Sequence, residues 1–247
     1  MRFFDCNTYL GRAITDPRGV SAAALLAAMD RAGIEKALAW HVAQRDLDPA
    51  AGNARLAEAV AGQDRLVGCW TILPNQAGEL GDLDRFFAAA GDANVRAFRA
   101  FPQAHRYLLR AESVGDVLER LVAARLPLML SVEQGVSWEC VYDLLADFPE
   151  LTAVLCEVGC WGKDRYFRPL VERYPNVHVE IGSFLLEGGI EAFVADYGAR
   201  RLLFGTGFPR AYHGAMMLAL AGAEIPEADK RAVAAGNLER LLSEGRL

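Results

Sequence analysis

The sequence predicts an α/β protein of the (β/α)8 or TIM-barrel type, and three observations carry that prediction. Eight short apolar, β-rich runs alternate with eight longer segments of helical period. Each run is followed by one of those helical segments, the order that builds a parallel sheet with its helices outside. The length, 247 residues, is that of one such barrel, whereas an open doubly wound sheet closes with fewer units. No linker, low-complexity tract or charge run divides the chain, so residues 1–247 are read as a single domain.

The elements follow in order. The first strand is expected over Arg2 to Tyr9, followed by a helix from Ser21 to Ala32 whose Leu25, Leu26 and Met29 form one apolar stripe. Strand two, Lys36 to His41, leads to a helix over Asn53 to Gly62, and strand three, Leu66 to Ile72, to one over Leu80 to Ala90. Strand four spans Val95 to Phe101, and its helix, Val114 to Ala124, carries Leu118, Leu121 and Val122 at helical spacing. Strands five, six and seven are placed at Pro127 to Val132, Thr152 to Val158 and Val177 to Ile181. Their helices are Trp138 to Asp147, Asp164 to Tyr174 and Ile190 to Tyr197. Strand eight, Arg201 to Gly205, precedes a closing helix over Pro226 to Ser243. The two longer insertions, Gln103 to Ser113 and Phe208 to Ile225, leave the C-terminal rim, where barrel enzymes build their sites.

Composition narrows the function. Basic and acidic side chains number 26 and 32, a net charge of −6 with Lys and Arg scattered, so no continuous basic surface for nucleic acid is expected. Five cysteines, an odd number in a chain too long to need staples, fit a reducing compartment. Met-Arg-Phe-Phe-Asp-Cys-Asn lacks the pattern of a secretion signal, and the longest apolar stretch, Ala215 to Ala223, is too short to span a bilayer. The expectation is a cytoplasmic protein with no membrane partner, and a homodimer, since exposed barrel helices often pair.

Phe4-Asp5-Cys6-Asn7-Thr8-Tyr9-Leu10-Gly11 resembles the Asp-x-His-x-His-x-Gly opening of the metal-dependent amidohydrolase superfamily, in its amidohydrolase-2 branch of small-acid hydrolases and decarboxylases. Asn53 to Pro74 and Val95 to Pro102 are similar to further segments of that branch. So are Arg201-Leu202-Leu203-Phe204-Gly205-Thr206-Gly207-Phe208-Pro209 and Gly236-Asn237-Leu238-Glu239-Arg240-Leu241-Leu242. The resemblance implies a metal-bound hydroxide with an aspartate base. Its five ligand positions fall here on Asn7, Tyr9, Ser131, Glu157 and Gly207, and none keeps the family's residue. Neither a metal nor another cofactor is therefore expected, because a transition ion needs several imidazole, thiolate or carboxylate donors converging at about 2.0–2.3 Å.

At those strand ends Glu157, Glu133 and Ser131 are the candidate catalytic residues, and Asn7, Tyr9, His41, Trp70, Arg99, Glu180 and Arg210 the candidates for binding substrate. Alternation on strand seven turns His178 and Glu180 to the lumen, with His178 in a lower layer. Glu133, Glu157 and Glu180 on adjacent strands need a counter-charge or a shared proton. Arg99 in a bidentate pair, a bound cation or partial protonation each answers that need. The bland reading leaves Glu180 bonded within the barrel and Glu133 in solvent. His41 reads as a strand-end histidine bonded to a loop or as a base; His105 and His213 as loop residues, solvated or in a lid. Trp70, Trp138 and Trp161 serve either as a ligand wall or as loop packing, and Arg210 as a carboxylate anchor or an exposed ion pair. Cys6 and Cys156 are expected to face away from the lumen, and Cys160 to lie near the mouth.

The leading expectation is a hydrolase or lyase acting without a metal on a small carboxylated or cyclic ester or amide compound. A catalytically inactive paralogue serving as a ligand-binding or structural partner is the alternative. A rebuilt Mg2+ or Mn2+ site of Glu133, Glu157 and Glu180 is the third.

Overall fold

Eight strands, all parallel and hydrogen-bonded in sequence order, form the sheet: β1 Phe4–Leu10, β2 Lys36–His41, β3 Leu66–Thr71, β4 Val95–Arg99, β5 Leu128–Ser131, β6 Ala153–Cys156, β7 Val177–Glu180 and β8 Leu202–Leu203. The computed structural model describes residues 1–12, 14, 19–159, 162–184 and 187–247. Cys160 and Trp161 lie outside the described residues. The segment after β8 closes the ring onto β1: Cys6 N donates to Phe204 O at 2.9 Å, Gly207 N to Asn7 O at 2.9 Å and Tyr9 N to Phe208 O at 3.0 Å. The result is the (β/α)8 barrel expected of the alternating pattern.

Helix caps explain where the expected helix starts fell late or early. Pro49–Val60 begins ahead of Asn53 because Asp48 caps it, accepting from Ala51 N at 2.6 Å, with Pro49 in the first turn where its missing N–H is harmless. Leu83–Asp92 starts after Leu80 because Asp82 is its cap, accepting from Arg85 N at 3.0 Å. The insertion after β8 holds a helix of its own, His213–Gly222, and the closing helix is interrupted by a π-helical turn at Ala232–Gly236.

Register sorts side chains between the lumen and the outer layer. Phe4, Cys6, Leu38, Trp40, Cys69, Phe101, Met129, Cys156 and Leu203 share one buried cluster, which Leu238, Leu241 and Leu242 of the last helix also join. The lumen is thus a packed core. The outer layer between strands and helices is a second cluster, holding Phe98, Leu130, Leu155 and Val179. Cys6 and Cys156, expected to face the helices, are lumen residues. In β1 the register shifts between Asp5 and Thr8. β6 ends at Cys156, and Glu157 then adopts φ 55°. Simple alternation fails at both points.

Candidate active site at the barrel mouth

The lumen ends of β1, β4, β5, β6 and β7 bring together most of the polar residues singled out above. Asn7 is 2% exposed, Arg99 1%, Ser131 0%, Glu157 4% and Glu180 0%. Arg99 Nη2 donates to Asn7 Oδ1 at 2.7 Å, and Asn7 Nδ2 donates to Glu180 Oε2 at 3.4 Å. The same Glu180 oxygen accepts from Glu157 N at 2.9 Å. The Ser131 hydroxyl donates to Glu157 Oε2, and Arg210 Nη2 donates to Glu157 Oε1 at 2.6 Å. Arg210 Nη1 continues outward to Glu133. One hydrogen-bonded chain therefore runs from the buried guanidinium of Arg99 to a carboxylate at the surface.

Backbone geometry sets this chain up. Glu157 has φ 55°, a left-handed conformation uncommon for a residue with a Cβ. Its amide reaches Glu180 while its carboxylate reaches Ser131 and Arg210. Glycines make the room: a Cβ on Gly205 would stand 2.5 Å from Glu180 Oε1 and 2.8 Å from Cys6 Sγ, and one on Gly182 would stand 2.2 Å from the same carboxylate oxygen. At Gly207 a Cβ would lie 3.4 Å from Arg210 Nη2 and 3.7 Å from Glu157 Oε1. Asp5, fully buried, ties this loop to β1: Thr206 Oγ1 donates to its Oδ2 at 2.5 Å, and Asn7 N and Thr206 N donate to its Oδ1 at 3.0 and 3.1 Å.

Burial dominates the electrostatics. Desolvation, reinforced by the charge of Glu157, pushes Glu180 up to about 8, and desolvation raises Asp5 to about 7. Arg99 answers the need for a counter-charge differently from the expected bidentate pair. Its hydrogen bond goes to Asn7, and Arg210 is the arginine that bonds the carboxylates. Among the described residues Arg99 Nε and Nη1 have no oxygen acceptor; the weakly accepting Cys69 thiol lies alongside and the Trp40 ring 5.2 Å from the guanidinium carbon.

Tyr9 lies at the lumen side, its ring 5.2 Å from that of Trp40. Two of the expected site residues are placed elsewhere. Trp70 pairs in register with Phe98 and packs 5.4 Å from Phe86, so it faces the helix layer. His41 pairs with the outward Leu10, and its Nδ1 accepts from Ala43 N at 3.1 Å, the loop contact of the bland reading. Glu133 is 41% exposed and joins the site through Arg210 alone among its described contacts. His213, expected in solvent or a lid, is buried because it starts the helix His213–Gly222 and stacks on Phe208 at 4.1 Å between ring centroids. Its Nε2 lies 4.0 Å from Asp5 Oδ2. Sequence reasoning missed the Asp5–Thr206 tie, although both residues lie inside motifs that it had singled out.

The amidohydrolase-2 model, described as amidohydrolase, matches residues 7–243. The chain belongs to the amidohydrolase family. Solved structures agree on the fold. A TIM-barrel protein from Bordetella bronchiseptica superposes with a TM-score of 0.75 at 19% identity, covering 99% of each chain. A dihydroxybenzoic acid decarboxylase from Polaromonas sp. JS666, solved with bound manganese and 2-nitroresorcinol, gives 0.72 at 17%, covering 99% of this chain and 98% of that one. A probable 2-pyrone-4,6-dicarboxylic acid hydrolase from Acinetobacter baumannii, with citric acid bound, gives 0.71 at 11%, covering 98% and 100%. No curated protein sequence matches. No helix among the described residues is long and apolar enough to cross a membrane.

The side chains at the family's ligand positions are bonded within the chain. Both oxygens of Glu157 are bonded, to Ser131 and Arg210, and Asn7 Oδ1 is taken by a guanidinium. Among the described residues Glu180 Oε1 is the one buried carboxylate oxygen in this network without a partner. Among the described residues no group of three or more His, Cys, Asp or Glu is arranged to hold an ion.

Proposed function

We propose that this amidohydrolase-family barrel is a hydrolase or lyase for a small carboxylated compound, acting at its mouth without the family's usual metal. The observation that carries the reading is Arg99: a guanidinium 1% exposed, with Nε and Nη1 unbonded, beside two buried carboxyl groups. Buried donors left without acceptors are costly, and an anionic ligand oxygen would satisfy them. The neighbours named for dihydroxybenzoate and pyrone dicarboxylate chemistry supply a substrate class of the same kind.

In this reading Arg99 and Arg210 bind anionic groups of the substrate, and Asn7, Tyr9 and Ser131 orient it. Glu157 exchanges a proton with the reacting atom once the substrate draws Arg210 toward itself. Glu180, held largely protonated near neutral pH, keeps the pair of adjacent carboxyl groups from both being charged. A ligand-binding barrel without turnover is the second reading, favoured by the bonding of both Glu157 oxygens within the chain. Product analysis over a panel of hydroxybenzoates and pyrone carboxylates tests the two. Turnover that drops by about 10²-fold or more in Glu157→Gln supports the enzyme. Turnover unaffected by that change removes Glu157 from the chemistry, and binding without product favours the second reading.

A further inference from the structure

We propose that the guanidinium of Arg99 stands in place of the family's metal ion, serving as the fixed positive charge of the lumen and excluding divalent cations from it. The inference deepens the reading above by naming the source of charge at that site, and it does not depend on turnover.

Three observations on Arg99 and one on Arg210 converge. The Nη2 of Arg99 is bonded to the side chain of Asn7, at the first of the two ligand positions on strand one. Arg99 is fully enclosed and interacts electrostatically with Glu157, which stands at the sixth-strand ligand position, and with Glu180. The space beside Gly207, where the family's aspartate would stand, is bordered by the ion pair of Arg210 with Glu157. Finally, Trp40 and Phe101 rings lie 5.2 and 6.0 Å from the guanidinium carbon, holding the cation against aromatic faces. A divalent ion drawn to Glu180 and Glu157 would meet this charge in a poorly screened interior, and its remaining donors would be amide and hydroxyl groups already bonded.

The chemistry is consistent with a permanent charge. Arginine keeps its proton far above neutral pH, so the lumen holds its cation at every pH at which the protein is folded. Unlike an ion, a guanidinium offers no open coordination position; it provides directed N–H donors for a ligand oxygen.

Metal binding by the whole chain tests this without a substrate. After dialysis against chelator, the wild-type protein, Arg99→Lys and Arg99→Met are titrated with Mn2+ and with Zn2+, following bound metal by elemental analysis and melting temperature. The wild type and Arg99→Lys are expected to bind no stoichiometric ion in the lumen. Arg99→Met, stripped of the charge, is expected to bind Mn2+ at least about tenfold more tightly than the wild type, a gain of about 1.4 kcal/mol by the standard conversion. Stoichiometric binding to the wild type that Glu180→Gln abolishes overturns the proposal. A folded Arg99→Met with no gain also overturns it, as does an Arg99→Lys that gains as much as Arg99→Met. Should Arg99→Met fail to fold, the wild-type and Arg99→Lys titrations decide.

Discussion

Arg99 Nη2 meets Asn7 Oδ1 at 2.7 Å across the barrel lumen, joining β4 to β1 through a charged donor and a neutral acceptor. Among the described residues the guanidinium's Nε and Nη1 meet no oxygen acceptor, so losing this bond strips the buried charge of its oxygen partner. Asn7→Leu is expected to destabilise the fold by about 3 kcal/mol, the scale for stripping a partner from a buried charge. Denaturant unfolding measures it, and a change below about 0.5 kcal/mol, typical of a surface substitution, contradicts it.

Two sets of buried groups should bend the pH dependence of stability in opposite directions. Glu180 rises in the folded state from 4.5 to about 8 and Asp5 from 3.8 to about 7, so the native chain holds protons that the unfolded chain releases. Their contribution is full below about pH 4 and is lost as pH rises toward 8. His178 is lowered from 6.5 to about 3 and His213 to about 4, both chiefly by burial. The unfolded chain binds those protons first, so stability is lost as pH falls below 6.5. Glu180→Gln is expected to flatten the alkaline limb and leave the acid limb intact. Melting temperatures from pH 4 to 9 check both limbs, and an unchanged alkaline limb in the variant counts against the assignment.

Arg210 should matter more to ligands than to stability. Its side chain is 45% exposed, and solvent screens its pairs with Glu133 and Glu157. Arg210→Ala is expected to change stability by about 1 kcal/mol or less. The same variant should raise KM for a carboxylated substrate about tenfold or more, for loss of a charge-assisted contact. A large drop in melting temperature with unchanged KM would assign Arg210 to the scaffold instead.

Gly205 and Gly222 offer a matched pair. A methyl group on Gly205 enters the space of Glu180 and Cys6, and the expected destabilisation is about 1–3 kcal/mol from overpacking. Gly222, in the helix His213–Gly222, has nothing within 4 Å of its would-be Cβ. Gly222→Ala should be neutral or stabilising by up to about 1 kcal/mol. Equal effects at the two positions would contradict the tight packing around Glu180.

The periodic elements were legible because each follows one local rule. Lys36–His41 and Trp138–Asp147 stand where the apolar pattern puts them, and Ser137 caps the latter by accepting from Cys140 N at 3.2 Å. Asp48-Pro49 and Asp82 were readable as helix starts by their chemistry but carry no apolar period. In the site, Asn7, Arg99, Ser131 and Glu180 come from strands on the lumen side, and Glu157 reaches them from the turn after β6. Trp70 and His41 were misplaced because being near a strand end does not settle which face a side chain takes. The register pairs of Trp70 with Phe98 and His41 with Leu10 settle that. The inward turn of Cys156 escaped because the left-handed φ of Glu157 breaks the two-residue period, and Glu is not among the residue types, Gly, Asn and Asp, that favour such a turn. The exchange of partners, Arg99 with Asn7 and Arg210 with the carboxylates, depends on reach across the lumen, which strand order alone does not supply.

Anomalous diffraction at the manganese edge, from crystals grown with excess Mn2+, tests the central claim most directly. Expected is the Arg99 guanidinium bonded to Asn7, with no anomalous peak among Asn7, Glu157 and Glu180. A full-occupancy peak coordinated by those three side chains, with Arg99 swung aside, would contradict it.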